Sequence, residues 1–355
     1  MRVCVFSERI KPPFDEGIKN YAVQLIRELG RQHQVLALTA FGQGVPSLGI
    51  RNVPANRLLF SPWLARRIES FRPEVVLYLP TASATPFSFL RSRMLWWYAR
   101  GAPVVLIALQ VRHYGKVARR VMRLWRPELV LVQSPRMRAA LAALGCRLGW
   151  APAGVDLQRF KPVAKEQRLA LRERYRLSKE AYVVLHVGHL NRGRNVQALA
   201  AIQRELACQA VVAGSTSTPQ DEMLVAELEQ AGVRVLRGFL PNIAELYQLA
   251  DCYLFPVQEE CRAIDLPLSV LEAMASDLPV VTTRFGGLLE CFAQGEGIHY
   301  VDSLEEMVQA VAACRDRFPA GTRALAQRFA WPRVMEQILE QVQEVMETAK
   351  RGQGA

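Results

Sequence analysis

The chain lacks every cysteine pattern that would staple a fold or hold a metal. Its seven cysteines (Cys4, Cys146, Cys208, Cys252, Cys261, Cys291 and Cys314) include no C-x-x-C pair, and the count is odd. Reduced, structural thiols in a cytoplasmic protein are expected, not a secreted disulfide framework. Long apolar runs are missing as well: the longest, such as 104–109, are strand-length and far short of a membrane span. The start, MRVCVFSERIKPP, returns to charge after a short apolar run, so no secretory signal is expected there. No internal repeat or low-complexity tract is visible, which excludes solenoids. The G-x-G-x-x-G fingerprint is absent after the first strand, which argues against a dehydrogenase. No D-x-D pair or His/Cys cluster offers a metal site, so no metal and no cofactor are expected.

What is present suits a well-cored globular protein. Its 355 residues are half hydrophobic, long for one domain and comfortable for two. The charge is split unevenly. Residues 1–150 hold 23 Lys and Arg against 7 Asp and Glu, a net of +16; the remainder hold 22 against 26, a net of −4. A basic half fits nucleic acid, an anionic membrane surface or an anionic substrate. It also fits an arginine-rich proteome, since 20 of the 23 cations are Arg. No recognised nucleic-acid motif accompanies it, so nucleic acid is not expected as a partner.

Short β-branched runs at 3–6, 35–39, 75–79, 104–109 and 129–132 read as strands buried on both faces. Between them, Ile18, Ala22, Leu25, Ile26 and Leu29 share one helical face. Residues 182–330 repeat the scheme, with strands at 183–187, 210–213, 233–236, 253–255 and 280–282. Repeated β-α units imply two doubly wound parallel sheets, whose strand C-termini bind ligands. The expected division is 1–161 and 162–330, with the charged segment from 162 to about 179 as linker. Residues 331–355 follow as an amphipathic helix with the stripe Val334, Ile338, Val342 and Val345.

The most informative stretch is 251–290, DCYLFPVQEECRAIDLPLSVLEAMASDLPVVTTRFGGLLE. It reads as strand, polar loop, helix and strand, followed by Gly286-Gly287. The helix is entered through Pro267-Leu268-Ser269, and a proline there leaves first-turn amides directed outward. Such amides and the helix dipole form an anion site, and Glu272 stands one turn inside. Upstream, HVGHLNRGRNVQAL ends a strand at Gly188 and opens a basic loop, with a helix expected near Asn195. In the first half, SERIKPPFDEGIKNYA puts Gly17 before a helix with Lys19 in its first turn; glycine lets backbone approach a ligand closely.

PLSVLEAMASDLPVVTTRFGGLLE resembles the donor-site segment of family 4 glycosyltransferases, retaining enzymes with the GT-B fold. HVGHLNRGRNVQAL, RGFLPNIAELYQLADCYLFP and AGVDLQRFKP resemble the same family in the same order, so the likeness covers nearly the whole chain. It implies two Rossmann-like domains facing a cleft, with the last helix crossing back to the first. It also implies that Arg194 and His189 meet the donor diphosphate, with Gly188 and the Leu268-Ser269 amides beside them, and that Glu272 holds the ribose. Gly17 and Lys19 would lie near the acceptor. The family's cleft histidine corresponds to Gln110, with His113 three residues on as its substitute. One departure is plain: eight residues before Glu272 the family has a second glutamate for the transferred sugar, and here Ile264 stands, with Asp265 one step away.

The expected function is metal-independent glycosyl transfer, with retention, from a nucleotide sugar to an unidentified acceptor. Arg194, Glu272 and Asp265 are its catalytic candidates. A degenerate GT-B protein that binds without turnover remains open, as does another GT-B enzyme such as a nucleotide-sugar epimerase or a phosphorylase. Residues 112–126 interleave Val117, Val121, Leu124 and Trp125 with Lys116, Arg119, Arg120, Arg123 and Arg126; a second cluster at 89–97 combines arginines with Trp96 and Trp97. Both fit docking of the first domain on the cytoplasmic leaflet, toward a lipid-linked or otherwise anionic acceptor. Both fit equally helices that pack their apolar faces on the sheet.

Overall fold

The computed structural model describes residues 1–216, 220–295, 297–315 and 320–353, of which 352 and 353 are described by backbone alone. The chain forms two compact units: Met1–Pro152 with Trp331–Ala355, and Ala153–Ala330. The first junction therefore falls after Pro152, where the sequence reading placed it after residue 161.

In the first unit the strands are β1 (Arg2–Ser7), β2 (Gln34–Thr39), β3 (Ile50–Asn52), β4 (Val75–Leu79), β5 (Val104–Ile107), β6 (Leu129–Val132) and β7 (Leu148–Trp150). They form one parallel sheet in the order β3-β2-β1-β4-β5-β6-β7. Its helices are α1 (Gly17–Gly30), α2 (Pro62–Phe71), α3 (Pro86–Tyr98), α4 (Lys116–Leu124) and α5 (Pro135–Ala142). One face of the sheet is covered by Leu64 and Ile68 of α2, Phe89 and Leu95 of α3, Met122 of α4, and Met137 and Leu141 of α5. A proline at the first turn and a Ser or Thr cap start α2, α3 and α5.

The second unit contains α6 (Lys165–Arg174), β8 (Tyr182–Gly188), α7 (Ala198–Glu205), β9 (Cys208–Gly214), α8 (Glu222–Gln230), β10 (Arg234–Leu236), α9 (Ala244–Leu249) and β11 (Cys252–Phe255). It continues with α10 (Leu268–Ala275), β12 (Val280–Thr282), α11 (Leu288–Cys291), β13 (Ile298–Tyr300), α12 (Leu304–Ala313) and α13 (Thr322–Ala326). Its parallel sheet runs β10-β9-β8-β11-β12-β13. The chain winds outward from β8 through β9 to β10, then returns to the other edge of β8 as β11. The order reverses between β8 and β11, and the loops leaving these two strands part around that point, as in other doubly wound sheets.

Two local expectations change. The segment 162–179 is no linker: it holds α6, whose Arg168 and Arg172 both pair with Asp251 at 2.5 Å. Charge that reads as solvated is neutralised by a carboxylate some eighty residues away. The helix after β8 begins at Ala198, not near Asn195, because Arg192–Arg194 form a short 3-10 turn and Asn195 takes a left-handed conformation (φ 55°).

The last helix, α14 (Trp331–Gln353), belongs to the first unit. Its stripe of Val334, Ile338, Val342 and Val345 is buried, and Trp331 meets Tyr21 of α1 edge to face at 5.2 Å. β7 ends the sheet, and an edge strand leaves backbone groups without a ladder partner. Gln341 supplies one: its Oε1 accepts from Trp150 N at 2.6 Å and its Nε2 donates to Trp150 O at 2.8 Å. This approach needs Gly149, where a Cβ would lie 2.2 Å from Gln341 Oε1. Gln341→Ala removes both bonds and should cost about 1–3 kcal/mol, read as a lower urea midpoint. Gln343→Ala, at an exposed site on the same helix, should stay within about 0.5 kcal/mol of the parent.

Candidate functional site

The candidate site of the second unit lies at the reversal of strand order, on the loops that follow β8 and β11. β8 ends at Gly188, and the absence of a side chain there matters. A Cβ on Gly188 would stand 2.8 Å from Arg194 Nη1 and 3.0 Å from His186 Nε2. The Arg194 guanidinium is thus drawn across bare backbone. Arg194 is buried, and its Nη2 donates to the carbonyl oxygen of Arg262 in the loop after β11. One side chain ties the two loops together. Arg262 completes the tie from the other side: a Cβ on Gly193 would fall 2.7 Å from its guanidinium carbon. Arg262 also pairs with Glu259 at 2.7 Å. Arg192 turns elsewhere, to Glu227 at 2.8 Å and Asp221 at 3.8 Å.

α10 starts directly after Pro267, whose backbone is extended (φ −65°, ψ 127°). The first helical bonds run from Val270 N and Leu271 N to Pro267 O, so the Leu268 and Ser269 amides lie ahead of the ladder. The Ser269 side chain bonds Tyr253, whose hydroxyl also reaches Val187 O at 3.4 Å. One turn on, Glu272 is buried and accepts at Oε2 from the Tyr247 hydroxyl at 2.8 Å. Burial pushes its carboxyl above the ordinary carboxylate value, while the Tyr247 bond and the Arg159 charge pull it back. His186 is fully buried, bonds Leu254 O through Nδ1 at 2.9 Å and is pushed down to about 4 by burial. It is a neutral imidazole at physiological pH, so it brings no charge to the loop.

His189, half-buried, follows Gly188 at the mouth of the same loop. Ile264 and Asp265 are both buried. The Asp265 carbonyl accepts from Gly287 N at 3.0 Å. Gly286 sits against it with positive φ (56°), and a Cβ there would come within 2.1 Å of that oxygen. The glycine pair therefore receives the Asp265 backbone.

The acceptor-side candidates belong to the first unit. Gly17 opens α1, and Lys19 in its first turn pairs with Glu16 at 3.2 Å. Gln110 lies beyond β5, held by Ser83 at its backbone (2.7 and 3.1 Å) and by Arg112 at its side chain (3.0 Å). His113 is exposed. The sequence reading missed a buried cluster at the ends of β1 and β4. There Glu8 accepts from the Tyr78 hydroxyl and from Arg91 at 2.6 Å. It also missed Tyr247, Tyr253 and His186, which read as core aromatics, and Arg262, which no spacing distinguishes from a surface cation. Among the described residues no three His, Cys, Asp or Glu side chains group as a metal site would need.

Residues 181–316 match the family described as glycosyl transferases group 1. The chain is 28% identical over 202 residues to the putative glycosyltransferase EpsD of Bacillus subtilis (strain 168), covering 53% of this chain and 52% of that protein. It is 26% identical over 318 residues to the sulfoquinovosyl transferase SQD2 of Arabidopsis thaliana, covering 81% and 60%. The chain thus spans about half to three-fifths of the length of these curated relatives. Among solved structures it resembles HepE of Anabaena in complex with UDP (TM-score 0.77, 18% identity, 97% of this chain and 100% of that one). The second unit carries a domain of the glycosyl transferases group 1 family, and the chain has the two-sheet GT-B fold.

Proposed function

We propose that this protein transfers a glycosyl group from a nucleoside-diphosphate sugar to an acceptor hydroxyl, with retention and without a metal. The observation that carries this reading is Arg194 drawn across Gly188 and tied to the loop that leads into α10, whose Leu268 and Ser269 amides precede the helical ladder. As the glycosidic C–O bond breaks, the bonding pair stays with the diphosphate, whose charge grows. The guanidinium and the Leu268 and Ser269 amides offset that charge without reorganising. His189 adds to it when protonated. Glu272 accepts from the ribose hydroxyls through charge-assisted bonds, and Asp265 takes the place of the absent glutamate toward the sugar. Gly17, Lys19, Gln110 and His113 serve the acceptor. The UDP complex of HepE, and another with UDP-glucose, support a uridine-type donor. The likeness to the family supports retention. A second reading, binding without turnover, is favoured by one observation: Ile264, where the family has a carboxylate, is buried and apolar.

We further propose that the first unit docks on an anionic leaflet at the inner face of the membrane. No described helix is long and apolar enough to cross one. The apolar stripe of α4 is only partly used in the core: Val117 is 78% exposed and Leu124 72%, Val121 is half-buried, and Met122 alone on that helix is buried. In α3, Phe89, Met94 and Leu95 turn inward, but Trp97 is 68% exposed, and Arg93 lies over the Trp96 ring at 3.8 Å. Exposed aromatics and aliphatics among cations suit an interface, where each cation contributes about 1 kcal/mol.

Three outcomes are expected. Glu272→Ala should weaken UDP binding by about 1.5–3 kcal/mol, measured by calorimetric titration; unchanged affinity would remove Glu272 from the site. Release of sugar from the donor should continue in EDTA, and complete loss restored by Mg²⁺ or Mn²⁺ would sink the metal-free mechanism. The protein should sediment with phosphatidylglycerol vesicles at low salt, and less as salt rises. Val117→Asp with Leu124→Asp should abolish this; indifference of the parent to such vesicles contradicts docking.

A further inference from the structure

Glu272 is held by a side chain that no ligand is positioned to reach. Tyr247 is fully buried, its ring 5.5 Å from Phe160 at 83° and 5.7 Å from Tyr253 at 37°. Its hydroxyl lies 2.8 Å from Glu272 Oε2. The helix that carries it has only six residues, too short to hold itself. It is clamped from outside at both ends. Glu245, at its start, meets Arg174 and the Tyr175 hydroxyl, both at 2.8 Å. At its end, Leu249 O accepts from Arg172 Nε at 3.1 Å and Ala250 O from Arg168 at 2.5 Å. Both arginines are anchored in turn on Asp251. The segment that composition marks as a linker thus fixes the helix that fixes the hydroxyl.

We infer that Tyr247 is a positioning residue for nucleotide binding: its hydroxyl orients the buried Glu272 carboxylate and leaves Oε1 for the ribose diol. The inference rests on the reading that Glu272 holds a ribose. A hydroxyl cannot protonate a carboxylate under ordinary conditions, and Tyr247 itself is pushed well above its usual range by burial and by Glu272. It therefore donates, and a donor to a carboxylate favours the charged form. The other groups facing Glu272 are Tyr253 of β11, which feels its charge, and Arg159 of the segment before α6, which favours ionisation. Among the described residues Tyr247 makes the only direct bond to the Glu272 carboxylate. Without it, burial is opposed by Arg159 alone, and the carboxyl gains its proton at a higher pH.

The test is UDP affinity of the full chain and of Tyr247→Phe between pH 8 and pH 5.5, with uridine as a parallel probe that carries no phosphate. Titration of UDP itself cancels in the ratio of the two proteins. The ratio should be smallest at pH 8. It should grow as pH falls, by up to about tenfold, because the variant without the donated hydroxyl takes up its proton at a higher pH than the parent. Glu272→Gln cannot titrate, so adding Tyr247→Phe to it should give a ratio that no longer depends on pH. A loss of affinity by the same factor at every pH overturns the inference, leaving Tyr247 a packing residue. If Glu272→Gln binds UDP and uridine as the parent does at every pH, the ribose reading falls first and the inference falls with it.

Discussion

The second unit depends on a single cation held between two loops. Arg194 lies across Gly188, which has no side chain to keep it off, and its other end donates to the Arg262 carbonyl. A buried guanidinium is costly unless it is paired or hydrogen-bonded. Here its place is prepared by backbone from both sides of the strand reversal. The loop after β8 brings the charge, the loop after β11 brings the helix whose first amides stand ahead of the ladder, and the tie holds the two in one geometry. The tie fixes the loop that brings the charge to the loop that leads into the amides, which is what the proposed electrostatic preorganisation requires.

Behind this front stands a layer of support built from long-range contacts. Asp251 collects Arg168 and Arg172, which hold α9; α9 holds Tyr247, and Tyr247 holds Glu272. Tyr253 links Ser269 to the end of β8. The glycine pair 286–287 takes the backbone of Asp265. Arg194, Glu272 and Asp265, the residues proposed to meet the donor, are each set by a partner distant in the sequence.

That distribution decides how much was legible from the residues. Short β-branched runs gave both sheets, because strands buried on both faces have no alternation to hide. The loops after β8 and β11 were legible too, since Gly188, Pro267 and the glycine pair mark positions where backbone geometry limits residue choice. Tyr247, Tyr253 and His186 were not, because an aromatic inside an apolar run looks the same whether its polar atom works or merely packs. The 162–179 segment misled for the opposite reason: Arg168 and Arg172 are sequestered by Asp251, and nothing local announces that partner. The stripe of α4 had two readings at the level of sequence, and the exposure of Val117 and Leu124 shows only that these two side chains do not pack in the core.

The most direct measurement of the central claim compares UDP with uridine on the parent protein and on Arg194→Ala. If Arg194 meets the diphosphate, the variant should lose about tenfold to a hundredfold in UDP affinity and keep its affinity for uridine. Equal UDP affinity in the two proteins, or an equal loss for both ligands, would contradict the account.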